Sequence, residues 1–500
     1  MERLKLALVH LDVVHGEAER NRDELVLFNE RAAENGARII VNTELAVSGY
    51  SFGSRDEIAC LVESQEGSTV TALRQVASRY GCFIVLGYPE KDERTDIYYN
   101  AAAVIGPDGA LLLNYRKVTA EVRWACAGTS FQRNSFETPW GRVGVLICSD
   151  TYYGAIPRMS SLNGVDLLLV PANWPGGSLD PRELWQVRAK ENGFFLAACN
   201  RSGKDKTMSC EDAYSCIYGP DGTKILESCS CTSDIFFADL PLEGGKLPSC
   251  RETQLRSREP SLYTPMYLDM RYAADLTSYY KLPEAAKMSV ASRSFPAEEL
   301  FTGDRLEETV DAYSGEKTAL LVLPAGIAGD NEDVLNRLAL AARKSQVNVC
   351  TGVVSEKDGS TVIAFAEKNG NLSLRSKKYG QHCFIDLDNA RIALAFKDEL
   401  YHPEMVIACA KQGCDLIVCS ASCLNDHDQR VLGARSIEQT GLAVSGNNRA
   451  FICQPPEGHY RWAEVSSKNG EGCSVTLDIE RLRQKTFYDR LDYGLLLGKQ

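Results

Sequence analysis

Leu4-Lys5-Leu6-Ala7-Leu8-Val9-His10-Leu11 is an apolar run of strand length. A helical stretch from Glu19 to Gly36 follows it, and then a second apolar run, Ala37-Arg38-Ile39-Ile40-Val41-Asn42. Helix period and strand period alternate again with Ser68 to Tyr80 and Cys82 to Gly87, a pattern that predicts α/β layering. Turn signals at Pro107-Asp108-Gly109 and Pro220-Asp221-Gly222 add tight hairpins, so the sheets are expected to be mixed.

The chain has 500 residues, more than one ordinary core holds, and two domains are expected. A 44% hydrophobic and 24% charged composition describes a globular protein. The net charge of −12, without a basic run interleaved with aromatics, argues against nucleic acid as a partner. The N-terminus lacks the long apolar stretch of a signal peptide and no run is long enough to span a membrane, so no membrane partner is expected and the chain reads as cytoplasmic. Its 18 cysteines are scattered through apolar segments, which favours free thiols in a reducing compartment. Cys210, Cys216, Cys229 and Cys231 form the tightest group, but they lack paired C-x-x-C knuckles and a nearby histidine, so no metal site is assigned.

The second half echoes the first at ordered landmarks. Gly109 to Lys117 lines up with Gly370 to Lys378, which sets Lys117 over Lys378. Arg142 to Asp150 lines up with Arg391 to Glu399, and Gly164 to Val170 with Gly413 to Cys419. Arg188 to Glu191 matches Arg435 to Glu438, and Asn200-Arg201 matches Asn448-Arg449. The chemistry-bearing residues are not repeated: Lys397 stands in the place of Cys148, and Pro324-Ala325 or its neighbours in that of Thr43-Glu44. An irregular stretch, Arg271 to Ala286, is expected to join a catalytic domain of residues 1–275 to a degenerate domain of residues 286–500 that lacks a nucleophile.

Three apolar runs in the first half each deliver a reactive side chain to a turn: Glu44 in Asn42-Thr43-Glu44-Leu45-Ala46, Lys117 in Asn114-Tyr115-Arg116-Lys117, and Cys148 in Gly144-Val145-Leu146-Ile147-Cys148-Ser149-Asp150. A free thiol is only a few per cent ionised near neutrality and needs a base. The first half offers only His10 and His15, with His10 inside the first strand, so a carboxylate is the available base. Glu44 could move the proton and Lys117 could stabilise an oxyanion. Taken one at a time, these residues read more readily as a surface ion pair and a packed core thiol than as catalytic groups.

Taken together, the three motifs resemble the nitrilase, or carbon-nitrogen hydrolase, superfamily, whose order is also Glu, Lys, Cys. The resemblance extends to Pro171-Ala172-Asn173-Trp174, Asn200-Arg201-Ser202-Gly203, Ser215 to Gly222 and a tail near Arg258 to Tyr263. It implies a four-layer α-β-β-α sandwich, here in two tandem copies paired as a pseudo-dimer within one chain. It also implies Cys148 at a strand-to-helix elbow, a covalent thioester or thioimidate, and no cofactor. A second active-site glutamate is carried over onto Glu121, seven residues before Gly128.

Ser149 departs from the family, many of whose members have tyrosine or tryptophan there to shape the pocket. Asp150, where nitrile-hydrolysing members usually have glutamate, points to amide or carbamoyl substrates. Thr151, Tyr152 and Tyr153 replace the arginine that clamps a substrate carboxylate in some branches, leaving Arg158 or Arg123 as substitutes and an N-carbamoyl amino acid unexpected. Tyr152, Tyr153 and Trp174 are candidates for a substrate-binding pocket or for packing beneath the turn. The expected function is hydrolysis of a small-molecule amide with release of ammonia or an amine. Nitrile hydrolysis, acyl transfer to an amine and a non-catalytic scaffold remain alternatives, and further homo-oligomerisation is open.

Overall fold

The computed structural model describes residues 2–176, 180–269, 275–314, 318–377, 380–458, 461, 463–466, 472–487 and 496. The chain divides into two compact units, one built on Met1–Arg256 and the other on Ser257–Asp489. In the first unit, β1 (Arg3–His10), β2 (Ile39–Asn42), β3 (Phe83–Asp92), β4 (Ile97–Ile105) and β5 (Leu111–Arg116) form one sheet. β6 (Ser135–Thr138), β7 (Gly141–Val145), β8 (Leu167–Pro171), β9 (Phe195–Cys199), β10 (Ser215–Tyr218) and β11 (Lys224–Ser228) form a second, and β12 (Asp234–Pro241) returns to the first. The orders are β12-β1-β2-β3-β4-β5 and β11-β10-β9-β8-β7-β6.

Within each sheet the three central strands are parallel and the outer pairings antiparallel. The mixed character follows from the two kinds of connection read in the sequence. Helices link the parallel strands, and the tight turns at Gly109 and Gly222, both with positive φ, close the β4–β5 and β10–β11 hairpins. Strand alternation gives each sheet two faces. Ala7 and Val9 of β1 and Ile40 of β2 pack under the helices Ala18–Glu34 and Ser68–Tyr80 through Leu25, Ala32, Leu73 and Val76. The other face meets the second sheet, with β1 and β2 against β8 and β9. Helix Pro181–Asn192 covers the far side of β9 and β10, which completes the α-β-β-α order.

The second unit repeats this plan strand for strand. Its strands are β13 (Lys287–Arg293), β14 (Leu320–Ala328), β15 (Asn348–Ser355), β16 (Thr361–Ala366), β17 (Leu372–Ser376), β18 (Cys383–Asp386), β19 (Arg391–Leu394), β20 (Leu416–Ser420), β21 (Gly441–Gly446), β22 (Arg449–Gln454), β23 (Glu464–Ser466) and β24 (Gly472–Asp478). They form sheets β24-β13-β14-β15-β16-β17 and β18-β19-β20-β21-β22-β23, with the same pattern of parallel and antiparallel neighbours. The fold is therefore α/β with two tandem sandwiches. The stretch Pro260–Tyr267, read from sequence as the tail of the first half, packs in the second unit on helix Pro403–Lys411. There the Lys411 ammonium caps the Met266 carbonyl at 3.0 Å, and Arg258 pairs with Glu404 at 3.0 Å. Part of the expected linker, residues 271–274, and Lys378, the expected repeat of Lys117, lie outside the described residues. Among the described residues no helix is long and apolar enough to cross a membrane, and no group of His, Cys, Asp and Glu is arranged to hold a metal.

Gly87 shows how tightly this scaffold closes on the turn after β2. A Cβ there would lie 2.5 Å from the Thr43 carbonyl oxygen and 2.7 Å from Glu44 Cα, both backbone atoms. Gly87→Ala is expected to cost about 1–3 kcal/mol, the usual penalty of overpacking, measured as a lowered urea midpoint. An unchanged midpoint would mean that the turn moves freely.

Candidate active site

Three chain segments are fixed at the ends of their strands before any charge is considered. Asn42 closes β2 with its side-chain amide on the Val85 carbonyl at 3.0 Å and on Asn29 of the covering helix. The chain then turns through Leu45, whose φ of +52° is unusual for a branched residue. Lys117 follows β5; its amide donates to the Asn100 carbonyl and its carbonyl accepts from Gly128, each at 2.8 Å. A side chain at Gly128 would sit 2.1 Å from the Arg116 carbonyl oxygen, so only glycine permits this closure. Cys148 opens the turn after β7 at φ +44°, a strained value for a residue with a Cβ, and the Thr151 hydroxyl donates to its carbonyl at 2.7 Å.

Glu44, Lys117 and Glu121 meet in the interior. Lys117 Nζ donates to Glu44 Oε1 at 2.7 Å and to Glu121 Oε1 at 2.5 Å, and both Lys117 and Glu44 are fully buried. Asn100 Nδ2 bridges the same carboxylates, reaching Glu44 Oε1 at 2.7 Å and Glu121 Oε2 at 2.9 Å. The Tyr50 hydroxyl donates to Glu121 Oε1. Glu44 Oε2 is buried and accepts no hydrogen bond.

Burial pushes the Glu44 carboxyl above its usual value, with Lys117 opposing it in part. Burial acts the same way on Glu121, but Lys117, Asn100 and Tyr50 outweigh it and hold that carboxyl low. Lys117 loses solvent yet is raised, because two carboxylates face it. The Cys148 thiol is pushed well up, first by burial and next by the charge of Glu44. The Cys148 thiol thus stays protonated, and Glu44 is the more basic of the two carboxylates.

Asp150 ties the Cys148 turn to the Lys117 segment. Its Oδ1 accepts from the amides of Val118 and Thr119 at 3.1 and 2.8 Å and from the Thr119 hydroxyl at 2.9 Å. Its Oδ2 accepts from the Tyr115 hydroxyl at 2.8 Å and the Ile147 amide at 3.2 Å. Ser149, also buried, lies 2.7 Å from the Thr119 hydroxyl.

Of the aromatic candidates, Tyr152 and Trp174 are buried. Tyr152 meets Tyr153 edge to face at 5.0 Å, and Trp174 meets Trp185 in the same way at 6.1 Å. Arg158 is buried with its guanidinium on the Glu191 carbonyl at 3.0 Å, and Arg123 is exposed. Sequence reading passed over Asn100, although an amide inside the apolar β4 run is a signal. It also passed over Asp205, whose Oδ2 accepts from the amides of Tyr50 and Ser51 at 2.6 and 3.1 Å and so sets the loop that carries Tyr50.

The second unit keeps the frame and changes the contents. The Ala325 amide donates to the Ala421 carbonyl as the Glu44 amide does to that of Ala172, and a Cβ at Gly352 would meet Ala325 as one at Gly87 would meet Glu44. Alanine thus stands at the place of Glu44. Lys397 stands at that of Cys148, its ammonium 3.2 Å from Asp428 and 3.1 Å from the Cys423 carbonyl.

Residues 5–246 match the family described as carbon-nitrogen hydrolase. A Schizosaccharomyces pombe protein named Probable nitrilase C965.09 is 37% identical over 37% of this chain and 69% of its own length. Omega-amidase NIT2 of Xenopus tropicalis is 30% identical over 49% of this chain and 90% of its own. The crystal structure of Nit3 from Saccharomyces cerevisiae, a member of the nitrilase superfamily, aligns with a TM-score of 0.44 at 24% identity. That alignment covers 48% of this chain and 90% of that one. With the two relatives at 37% and 30% identity, and with strand-end segments that carry glutamate, lysine and cysteine in that order, the chain belongs to the carbon-nitrogen hydrolase family of the nitrilase superfamily.

Proposed function

We propose that the first unit hydrolyses the C–N bond of a small-molecule amide through a thioester on Cys148, with Glu44 as general base and acid. The observation that carries this reading is the unpartnered, buried Oε2 of Glu44. Its other oxygen is held by Lys117 and Asn100, so one oxygen stays free for a proton. In the first half-reaction Glu44 takes the thiol proton as Cys148 Sγ bonds to the amide carbon. Two of the three N–H groups of Lys117 are spent on the glutamates, which leaves the third for the carbonyl oxygen as it becomes anionic. Glu44 then gives its proton to the departing nitrogen as the C–N bond breaks. In the second half-reaction Glu44 takes a proton from water, which attacks the thioester, and returns that proton to the sulfur as the C–S bond breaks.

Glu121 acts through Lys117, keeping it charged and aimed, while Tyr50 and Asn100 hold Glu121. Tyr152, Tyr153 and Trp174 are proposed to border the acyl chain. The second unit takes no part in bond breaking, since Ala325 and Lys397 replace base and nucleophile. Relatives named nitrilase support a second reading in which a nitrile forms a thioimidate at the same sulfur. Relatives named omega-amidase, together with Asp150, favour the amide.

Cys148→Ala is expected to abolish release of ammonia from a panel of amides and matched nitriles. Glu44→Gln is expected to lower kcat/KM by about 10²–10⁴-fold, the range of general acid–base help. Retained turnover in either variant would defeat the assignment, and faster turnover of the nitriles would select the second reading. The base must be ionised, and its carboxyl is held above the usual 4.5. Activity is therefore expected to fall as pH drops through a midpoint above 4.5, as read from kcat/KM against pH, and a midpoint at or below 4.5 would contradict the role of Glu44.

A further inference from the structure

Ala172-Asn173-Trp174 leaves β8 beside the Glu44 turn. The Ala172 carbonyl accepts from the Thr43 hydroxyl at 2.6 Å and the Glu44 amide at 3.4 Å. Asn200 clamps the Trp174 backbone, accepting from its amide at 3.0 Å and donating to its carbonyl at 2.8 Å. Asn173 lies between these anchors, 2% exposed, and its backbone N–H faces the Cys148 thiol. Its side chain is held on one side only, where Cys210 Sγ lies 3.3 Å from Oδ1. Burial pushes the Cys210 thiol up, so it is an S–H donor, and with the amide oxygen on its side the contact is a hydrogen bond from sulfur to oxygen. The Asn173 nitrogen is left buried with two N–H groups and no acceptor. Other buried side-chain atoms share that condition, Asn114 Nδ2 and Arg201 Nε among them, and Asn173 is singled out by its backbone N–H on the Cys148 thiol.

The second unit offers an internal control. Asn448 clamps Leu424 as Asn200 clamps Trp174, accepting from its amide at 3.0 Å and donating to its carbonyl. Two residues, Ser422 and Cys423, lie between the anchors there, and neither bears a side-chain amide. The clamp is kept where cysteine and glutamate are absent, and the side-chain amide is not, so holding the clamp does not require the amide.

We propose that Asn173 is a specificity-determining residue whose side-chain amide donates a hydrogen bond to an oxygen on the acyl chain of the substrate. The proposal rests on the reading of Cys148 as the nucleophile. The acceptor is a neutral oxygen: one lysine against two glutamates leaves no positive surplus for a carboxylate, and Arg201 behind Cys210 is engaged by Asp205 at 2.7 Å and the Val13 carbonyl at 3.2 Å. The substrate class is a short amide with an ether, ketone or hydroxyl oxygen a few bonds from the scissile carbonyl.

Two matched pairs test it: methoxyacetamide against butyramide, and acetoacetamide against isovaleramide. The wild-type protein is expected to favour the oxygen-bearing member of at least one pair by about tenfold or more in kcat/KM, and Asn173→Leu to bring that ratio near one. A wild-type ratio near one in both pairs, or a ratio preserved in Asn173→Leu, overturns the proposal. Asn173→Ala supplies the same ratio if the leucine variant does not fold. The same pairs titrated by calorimetry into Cys148→Ala protein, with and without the Asn173 change, give a ratio of Kd values without turnover. If none of these amides is turned over by the wild type, the amide reading fails and the Kd ratio alone decides on Asn173. An Asn173-dependent preference then supports the proposal, and equal binding or none overturns it.

Discussion

The site depends on one buried ammonium. Lys117 is out of water between two carboxylates, and moving such charges from solvent costs several kcal/mol per ion unless their partners are close and well directed. The contacts of 2.5 and 2.7 Å, with Asn100 bridging the carboxylates from the other side, meet that demand. Removing the lysine would leave two glutamates facing each other across a dry space, which is why the cluster stands or falls as a unit. The same arrangement separates the two carboxyls. Glu121 takes most of the stabilising hydrogen bonds and is held low, while Glu44 keeps one oxygen without a partner and is pushed up. Two chemically identical groups thereby acquire different capacities for a proton.

The second constraint is mechanical. Asp150 accepts five hydrogen bonds, three of them from Val118 and Thr119 beyond Lys117 and two from Tyr115 and Ile147. It locks the Cys148 turn to the lysine segment across the sheet interface. Glu399 has the corresponding task in the second unit, where it accepts from the Phe396 amide at 2.8 Å and from the Arg375 guanidinium at 2.5 and 2.6 Å. A carboxylate that fastens the turn is present in both units, whereas Cys148 and Glu44 occur in the first alone. Frame and chemistry are thus separable demands on the same fold.

Much of this was legible in the sequence. The run from Leu4 to Asn42 announced the first strand, helix and strand, and the helix Ser68–Tyr80 has the limits its pattern predicts. The tandem repeat was visible because structural residues recur: Asp166 and Asp415 each accept from an arginine amide near the start of the neighbouring strand, Arg142 at 3.0 Å and Arg391 at 2.8 Å. Asn100, Tyr50 and Asp205 were not legible as partners of the site. They reach Glu121 or its surroundings from β4 and from two separate loops, and contacts between distant segments leave no local period. Asp150 was read as a mark of substrate class, and its hold on the Val118, Thr119 and Ile147 amides left no signal in the sequence. The limits of the units were harder still, because the packing of Pro260–Tyr267 on a helix some 140 positions later has no signature in composition.

The central claim is that Cys148 carries the acyl group. Rapid quenching of the full-length protein during turnover of an amide, followed by intact mass measurement and peptide mapping, tests it most directly. The account predicts a mass increase equal to the acyl group on the peptide that contains Cys148. An acyl adduct on a different residue, or turnover with no adduct on Cys148 even when the second half-reaction is made rate-limiting, would contradict it.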